Sequence, residues 1–273
     1  MSGSGGDSEK SWGWDGLRFV PGKEVPPSDR GFRYGMSVFE SLRVGDGVPE
    51  FFRAHKERLR QACRFFGFPF PEQAVEEVGG LFRGLNGEGF ARIYVTAGPG
   101  GPAARVEQPG VWVNWEKRER RSVDGFRIGI AGGEFVPIFG GLKTGNYWRN
   151  LEVLRQAHVA GWDDAVLLGS GGQLVSACVA NVFLVEAGRI RTPAVEGGVR
   201  SGVLREWVCG EEPVEEVRLE ERDLWAADEI FLTNSWIGIA PVLELEGRTV
   251  RSSEVGRGLA LKLEQARHTG LLS

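Results

Sequence analysis

Several residue types that support common kinds of protein chemistry are scarce in this chain. Its 273 residues include three cysteines, three histidines and two methionines. The cysteines Cys63, Cys178 and Cys209 are far apart and form no C-x-x-C pair, which argues against a disulfide framework and is typical of a reducing compartment. No histidine lies at metal-ligand spacing from a cysteine or another histidine, so a zinc or iron centre is not expected.

Long apolar runs and a strong net charge are also missing. No apolar run approaches 18 residues, so no membrane span is predicted. The net charge of −4 and the pI near 5.6 provide no basic surface for nucleic acid or an anionic membrane. Residues 1–11 begin with MSGSGGDSEK, which has neither a basic region nor an apolar core. We therefore expect a disordered tail there and a cytoplasmic protein.

Strand patterns are frequent in the chain after residue 11. Glycine-containing turns between apolar runs predict β-hairpins over residues 12–22 and 36–52. Apolar and β-branched residues predict strands over 91–98, 110–116 and 174–188. The strands alternate with helical patterns, so the predicted fold class is mixed α/β.

Helical periodicity is clearest in two segments, residues 53–68 and 150–162. The predicted buried residues of the first helix are Leu59, Ala62, Phe65 and Phe66, and those of the second are Leu151, Leu154 and Ala157. The charged connector near 118–124 suggests two domains, residues 12–120 and 121–273.

Lys143 is the first candidate for chemistry. It lies in GGLKTGNYWRN, residues 140–150, a segment without an acidic residue. A lysine in a partly dry, uncharged setting can form a Schiff base with a carbonyl compound. The alternative is an ordinary exposed loop lysine, and the loop alone does not decide between the two.

An aldehyde cofactor such as pyridoxal phosphate (PLP) also needs a phosphate site. Gly202 and Val203 are predicted at a helix N-terminus, where main-chain N–H groups favour an anion. Thr233, Asn234 and Ser235 are predicted in a loop after a strand and offer amides and hydroxyls. Arg58, in HKERL, could supply a fixed positive charge. Each of these features is also common as a plain cap, turn or surface residue.

Taken together in chain order, the motifs resemble the class IV PLP enzymes. That family includes branched-chain and D-amino-acid aminotransferases and aminodeoxychorismate lyase. The resemblance covers roughly residues 12–250 and is carried by DRGFRYGMSVFESLRV, HKERL, RIYVTAG, KTGNYWRNLEVLRQAHVAGWDDAVLL, VANVFLV, SGVLRE and ADEIFLTNSWIGIAPV. It implies a fold-type IV enzyme with two α/β domains, the cofactor between them, and a homodimer.

The resemblance also assigns residue roles. It implies that Lys143 forms the Schiff base and moves the substrate proton, and that Arg58 grips the phosphate. It places aromatic side chains on the substrate side at Tyr34 and Phe39. The other cofactor-binding positions that it implies are Asn181, Gly202, Val203, Asn234 and Ser235.

The sequence departs from the family pattern at three positions. Ser176 stands five residues before Asn181, where most relatives have a glutamate that keeps the pyridine nitrogen protonated. Leu204 replaces a common threonine near the phosphate. Ala97 stands where D-amino-acid aminotransferases have a carboxylate-binding arginine, which argues against that branch.

These departures leave three interpretations open. The first is an aminotransferase that moves an amino group between a small amino acid and a 2-oxo acid. The second is an aminodeoxychorismate lyase-like enzyme that eliminates pyruvate to form p-aminobenzoate with the same lysine. The third is a relative that binds PLP weakly or is inactive, suggested by Ser176 and Leu204.

Overall fold

The computed structural model describes residues 8–119, 124–196 and 198–272. Within these residues the chain forms two compact units. The first contains residues 8–119 together with 143–146 and 272, and the second contains 124–142 and 147–271. The fold is therefore mixed α/β, as expected, but the four residues that begin with Lys143 belong with the first unit.

The first unit is built on an antiparallel sheet with the strand order β2-β1-β6-β5-β3-β4. Both predicted hairpins are confirmed, and the first begins at Glu9, so residues 9–11 are a strand and not part of a disordered tail. The elements are β1 (Glu9–Trp14), β2 (Phe19–Pro21), α1 (Arg30–Tyr34), β3 (Ser37–Gly45), β4 (Val48–Pro49), α2 (Phe52–Phe65), α3 (Glu72–Leu81), β5 (Glu88–Thr96) and β6 (Gly110–Lys117).

Helix α2 packs against β3, and two of its four predicted buried residues, Leu59 and Ala62, are buried. Its buried residues are His55, Leu59, Ala62 and Cys63, which follow the i, i+4, i+7, i+8 spacing of one helical stripe. Phe65 lies off this stripe and is 65% exposed. Apolar residue type suggested burial for Phe65, whereas the angular position on the helix decides which side chain meets the sheet.

The second unit contains a mixed sheet with the order β12-β11-β10-β13-β14-β7-β8-β9, and β15 pairs with β14. The β7–β8, β7–β14 and β11–β12 pairs are parallel. Its elements are β7 (Phe126–Ile130), α4 (Trp148–Val159), β8 (Asp164–Leu168), β9 (Leu174–Ala177), β10 (Asn181–Glu186), β11 (Arg189–Pro193), α5 (Val203–Glu211), β12 (Val214–Val217), α6 (Glu221–Ala226), β13 (Glu229–Asn234), β14 (Gly238–Leu245), β15 (Arg248–Thr249) and α7 (Glu254–His268).

The single strand predicted over residues 174–188 is divided in two. A turn at residues 178–180 separates β9 from β10, and the Ala177 N–H donates to the Ala180 carbonyl at 2.8 Å. The sequence did not indicate this break, because residues 174–188 contain neither glycine nor proline before Gly188. The turn places Ser176 on an edge strand and Asn181 on an inner one.

Helix α4 buries part of its predicted stripe. Ala157 is buried and Leu154 packs against the same core cluster, as predicted, but Leu151 is half exposed, and Trp148 at the start of the helix is 82% exposed. Helix α7 packs on β13 and β14, and Phe183 of β10 stacks on Phe231 of β13 with ring centroids 4.8 Å apart. No helix in the described part of the chain has the length and apolar character needed to span a bilayer.

Helix α7 provides a matched test of the core. Leu263 is fully buried and Leu261, two residues earlier, is 65% exposed. We expect Leu263→Ala to lower the free energy of unfolding by about 2–5 kcal/mol, because the lost methyl groups leave a cavity. Leu261→Ala should change it by less than about 0.5 kcal/mol. Urea unfolding at constant m-value measures both changes, and equal effects would contradict the assigned packing of α7.

Candidate functional site

Residues 143–146, the lysine segment, are held by main-chain hydrogen bonds to β3. The Phe39 N–H donates to the Lys143 carbonyl at 2.9 Å, and the Gly145 N–H donates to the Ser37 carbonyl at 2.9 Å. Thr144 forms a β-bridge with Val38 between these bonds. The partner strand β4 pairs only with the far end of β3, at Val44 and Gly45, so the near end is available to this segment.

The Lys143 side chain runs along the same stretch of β3. Its Nζ donates to the Ser41 Oγ at 3.1 Å and lies 4.7 Å from the centroid of the Phe39 ring. Phe39 and Ser41 are two residues apart and therefore share one face of the strand. Both are nearly buried, so the amine lies in a partly enclosed setting with a hydroxyl and an aromatic face.

Asn146 fixes the other end of the lysine segment. Its Nδ2 donates to the Gly35 carbonyl at 3.2 Å. Gly35 ends α1 with φ of 67°, and a Cβ at Gly35 would lie 2.7 Å from the Asn146 Oδ1. Only glycine suits both the left-handed backbone and the close approach. The asparagine in K-x-x-N therefore positions the loop.

Arg58 belongs to a buried charge network on the α2 side of β3. Glu40 accepts from the Arg58 Nε at 3.2 Å through one oxygen and contacts the His55 Nδ1 at 2.7 Å through the other. Burial lowers the pKa of His55, although Glu40 acts in the opposite direction. A neutral imidazole donates to Glu40, so the carboxylate can hold the guanidinium of Arg58 in place.

The predicted substrate-side residues differ in accessibility. Tyr34, at the end of α1, is 42% exposed, whereas Phe39 is nearly buried and stacks on Tyr94 at 5.5 Å. Ala97 is fully buried, and its N–H donates to the Met36 carbonyl at 2.9 Å. In addition, Arg30 donates to the Ala97 carbonyl. Ala97 therefore has a structural setting in this unit, and a substrate contact through its side chain is not supported.

In the second unit, Asn181 and Gly202 form a close pair at the start of α5. The Asn181 Nδ2 donates to the Arg200 carbonyl at 2.7 Å, and a Cβ at Gly202 would lie 2.1 Å from the Asn181 Oδ1. The Gly202 N–H already donates to the Arg200 carbonyl at 3.0 Å. Of the two predicted N–H donors, Val203 is thus the better placed, and Gly202 contributes by having no side chain.

The loop after β13 is ordered by Asn234. Its Oδ1 accepts from the Trp236 and Ile237 N–H groups at 2.8 Å, and its Nδ2 donates to the Val179 carbonyl at 3.1 Å. Thr233, paired with Asn181 across the strands, is 1% exposed. Within the described residues the Thr233 Oγ1 has no hydrogen-bond partner. A buried hydroxyl of this kind fits a polar ligand.

Ser176 lies on the edge strand β9 of the second unit's sheet, and the turn at residues 178–180 follows it. Ser176 is partly buried on β9, opposite Leu167 of β8. The Cys178 carbonyl accepts from the Tyr147 hydroxyl at 3.3 Å and from the Asn150 Nδ2 at 3.0 Å. The turn is therefore anchored by the tyrosine and the asparagine that follow the lysine segment.

Comparison with known proteins identifies the family. Residues 37–245 match the model of amino-transferase class IV. This range covers more than half of the chain. The chain belongs to the class IV aminotransferase family. The match begins at the first residue of β3, the strand that pairs with the lysine segment, and ends at the last residue of β14.

Individual relatives of this class IV aminotransferase have different names. A probable branched-chain-amino-acid aminotransferase of Thermotoga maritima is 34% identical over 84% of this chain and 84% of its own length. An aminodeoxychorismate lyase of Vibrio harveyi is 28% identical over 82% of this chain and 88% of its own length. The crystal structure of a branched-chain aminotransferase of Thermoproteus uzoniensis superposes with a TM-score of 0.86 at 24% identity, and 94% of each chain is covered. This last likeness establishes the fold.

Sequence reasoning did not identify several residues of the site. Glu40, Ser41 and His55 all lie within the motifs FES and HKERL, but their contacts depend on which strand α2 and the lysine segment approach. Thr233 was indicated by the TNS stretch together with Asn234 and Ser235. Its lack of a hydrogen-bond partner within the described residues depends on tertiary packing, which the sequence does not show.

Asp164 allows a test of the turn at residues 178–180. It is 1% exposed, and its Oδ1 accepts from the Ala165 and Cys178 N–H groups at 2.7 and 2.9 Å. Burial raises the pKa of Asp164 from 3.8 to about 6. Because the folded state keeps this proton to higher pH, the group favours folding below about pH 4, and that contribution is lost as pH rises through about 6.

We expect the unfolding free energy of the wild type, relative to that of Asp164→Asn, to fall by roughly 2–3 kcal/mol between pH 4 and 7. The asparagine keeps an acceptor oxygen but cannot titrate. Asp228→Asn is the control, since hydrogen bonds from Ala187 and Arg251 lower the pKa of Asp228 and it stays ionised over this range. Urea unfolding at each pH measures the differences, and a difference between the wild type and Asp164→Asn that stays constant from pH 4 to 7 would contradict the prediction.

Proposed function

We propose that this class IV aminotransferase uses PLP to move an amino group between a small amino acid and a 2-oxo acid. The observation that carries the proposal is the setting of Lys143, whose amine is held by a strand hydroxyl beside an aromatic ring. A carbonyl-binding lysine needs such a fixed and partly dry position. Family membership supports the same assignment.

The residues of the chain fit a phosphorylated aldehyde cofactor. In the second unit, Gly202 lies so close to Asn181 that residue 202 has no room for a side chain. Thr233, one residue before Asn234, has a buried hydroxyl without a hydrogen-bond partner among the described residues. We assign phosphate contacts to the Val203 N–H, at the start of α5, and to Asn234 and Ser235. When bound, PLP supplies an aldehyde for the substrate amine and a ring that withdraws electrons.

Arg58 supplies the positive charge that a phosphate requires. Glu40 uses the Nε–H of the guanidinium, so the Nη groups are the donors that we assign to the phosphate. Guanidinium groups bind phosphate oxygens in a bidentate manner, which gives orientation as well as affinity. Glu40 binds the Nε–H of Arg58 and so fixes the orientation of the guanidinium plane.

Lys143 has two tasks in this scheme. Its amine would hold PLP through the cofactor aldehyde. Once the substrate amine had displaced it, the free Lys143 amine would take the α-proton of the substrate as a base and give it back as an acid. The substrate-side role of Tyr34 and Phe39 remains a proposal. It is supported by the position of Phe39 beside the amine and by the exposure of Tyr34.

A homodimer is part of the proposal. The second unit exposes several large apolar side chains near the start of α4, where Arg149 also lies over the Phe135 ring at 5.0 Å. The exposed side chains are Val136, Ile138, Trp148 and Leu151. A group of exposed apolar side chains of this kind is typical of an interaction surface.

The first test concerns the attachment of the cofactor. We expect borohydride reduction of the PLP-loaded protein to fix the cofactor to the peptide that contains Lys143. Lys143→Ala should lose this adduct and reduce amino transfer at least about a hundredfold, because the nucleophile and proton carrier are removed together.

Peptide mass mapping and amino-transfer rates provide the two measurements. Lys262→Ala is the matched control, since Lys262 lies on α7 and pairs with Glu211 and Glu212. An adduct on another lysine, or an intact adduct in Lys143→Ala, would contradict the assignment.

Ser176 is the observation that favours the second candidate, pyruvate elimination by an aminodeoxychorismate lyase-like enzyme. A serine can donate a hydrogen bond to the pyridine nitrogen but cannot stabilise its protonated form as a carboxylate does. The ring then withdraws electrons less strongly, and transfer should suffer more than elimination. Formation of p-aminobenzoate from aminodeoxychorismate without a 2-oxo acid would support this second activity.

We expect Ser176→Glu to raise the rate of amino transfer about tenfold, since a charge-assisted hydrogen bond to the ring nitrogen contributes about 1.5 kcal/mol or more. Ser176→Gln is the matched control, because it has the same length without the charge. Single-turnover rates with an amino acid and a 2-oxo acid measure the effect. An unchanged rate in Ser176→Glu would show that another residue serves the ring nitrogen.

A further inference from the structure

The Ser41 hydroxyl forms a hydrogen bond with the amine of Lys143, the lysine that we propose binds the cofactor. Its Oγ accepts from the Lys143 Nζ at 3.1 Å, and Ser41 itself is 7% exposed. The serine lies in the middle of β3, opposite Arg92 of β5, so its main chain is fixed by the sheet. A hydroxyl in such a position has little freedom to move away from the amine.

The lysine is constrained independently at its main chain. The bond from the Phe39 N–H to the Lys143 carbonyl sets the starting point of the side chain. From there the side chain extends along β3 past the Phe39 ring to Ser41, two residues further on. The amine is thus located by the strand register at one end and by a hydroxyl at the other.

The chemistry of the hydroxyl suits an amine that changes its protonation state. A serine hydroxyl accepts a hydrogen bond from an ammonium group and donates one to a neutral amine. A lysine that takes a proton and returns it passes through both forms. The methyl group of alanine at position 41 could form a hydrogen bond with neither the ammonium nor the neutral amine, whereas threonine would keep the hydroxyl.

We propose that Ser41 is a positioning residue for Lys143, which holds the Nζ in both protonation states while the amine is not bonded to a carbonyl. This inference rests on the proposed function of Lys143 as the carbonyl-binding lysine. It assigns to Ser41 an effect on the rate of proton movement and none on the binding of the amino acid.

The test combines two measurements on Ser41→Ala and Ser41→Thr, with Ser170→Ala as a control for loss of an exposed serine hydroxyl. The first is the rate of acetylation of Lys143 by dilute acetic anhydride in the cofactor-free protein, relative to that of Lys262, followed by peptide mass. Loss of the hydrogen bond to the Ser41 hydroxyl in Ser41→Ala should make the Lys143 amine more accessible to the reagent and raise this relative rate about threefold to tenfold.

The second measurement is the kinetics of amino transfer by the PLP-loaded protein. In Ser41→Ala we expect kcat to fall about tenfold with KM within a factor of two, because the amine is less well placed to move the proton. Ser41→Thr should restore both the acetylation rate and kcat to within about a factor of three of the wild type. Circular dichroism checks that each variant is folded.

The outcomes separate this inference from the proposed function. If Ser41→Ala matches the wild type in both measurements while the borohydride adduct stays on Lys143, the inference about Ser41 is overturned and the proposed function stands. Equal impairment of Ser41→Ala and Ser41→Thr also overturns it, since the hydroxyl is then not the cause. If no adduct forms on Lys143, the proposed function itself fails.

Discussion

The pairing of the Lys143 segment with β3 is the interaction on which the site depends. Two main-chain hydrogen bonds and the bridge at Thr144 place the lysine opposite Phe39. They are possible because β4 covers only the far end of β3. Main-chain groups and the Asn146 side chain hold the loop, so the segment itself needs no acidic residue to keep its position.

Strand β3 separates two kinds of chemistry by its two faces. Phe39 and Ser41 lie on one face with the amine of Lys143, while Glu40 lies on the other and meets His55 and Arg58 of α2. A buried carboxylate is stable only when it is paired and hydrogen-bonded, and Glu40 has both kinds of partner. The alternation of the strand thus directs Glu40 to the face opposite Phe39 and Ser41.

The fold does not distinguish transfer from elimination. Both reactions need the same lysine and the same phosphate contacts, and both aminotransferases and lyases are among the relatives. The difference depends on how strongly the cofactor ring withdraws electrons and on whether a 2-oxo acid is bound. Ser176, on the edge strand β9, is the position where this chain departs from the expected carboxylate.

The sequence by itself determined the hairpins, the helices α2 and α4 and the motif that contains Lys143, because turn residues and periodicity act locally. The family pattern predicted site residues without showing their contacts. Tertiary structure decided the rest. It exposed Phe65, broke the strand at residues 178–180 and grouped residues 143–146 with the first unit. It also brought Ser41 to the amine, since a contact across 102 residues depends on strand register, which no local pattern specifies.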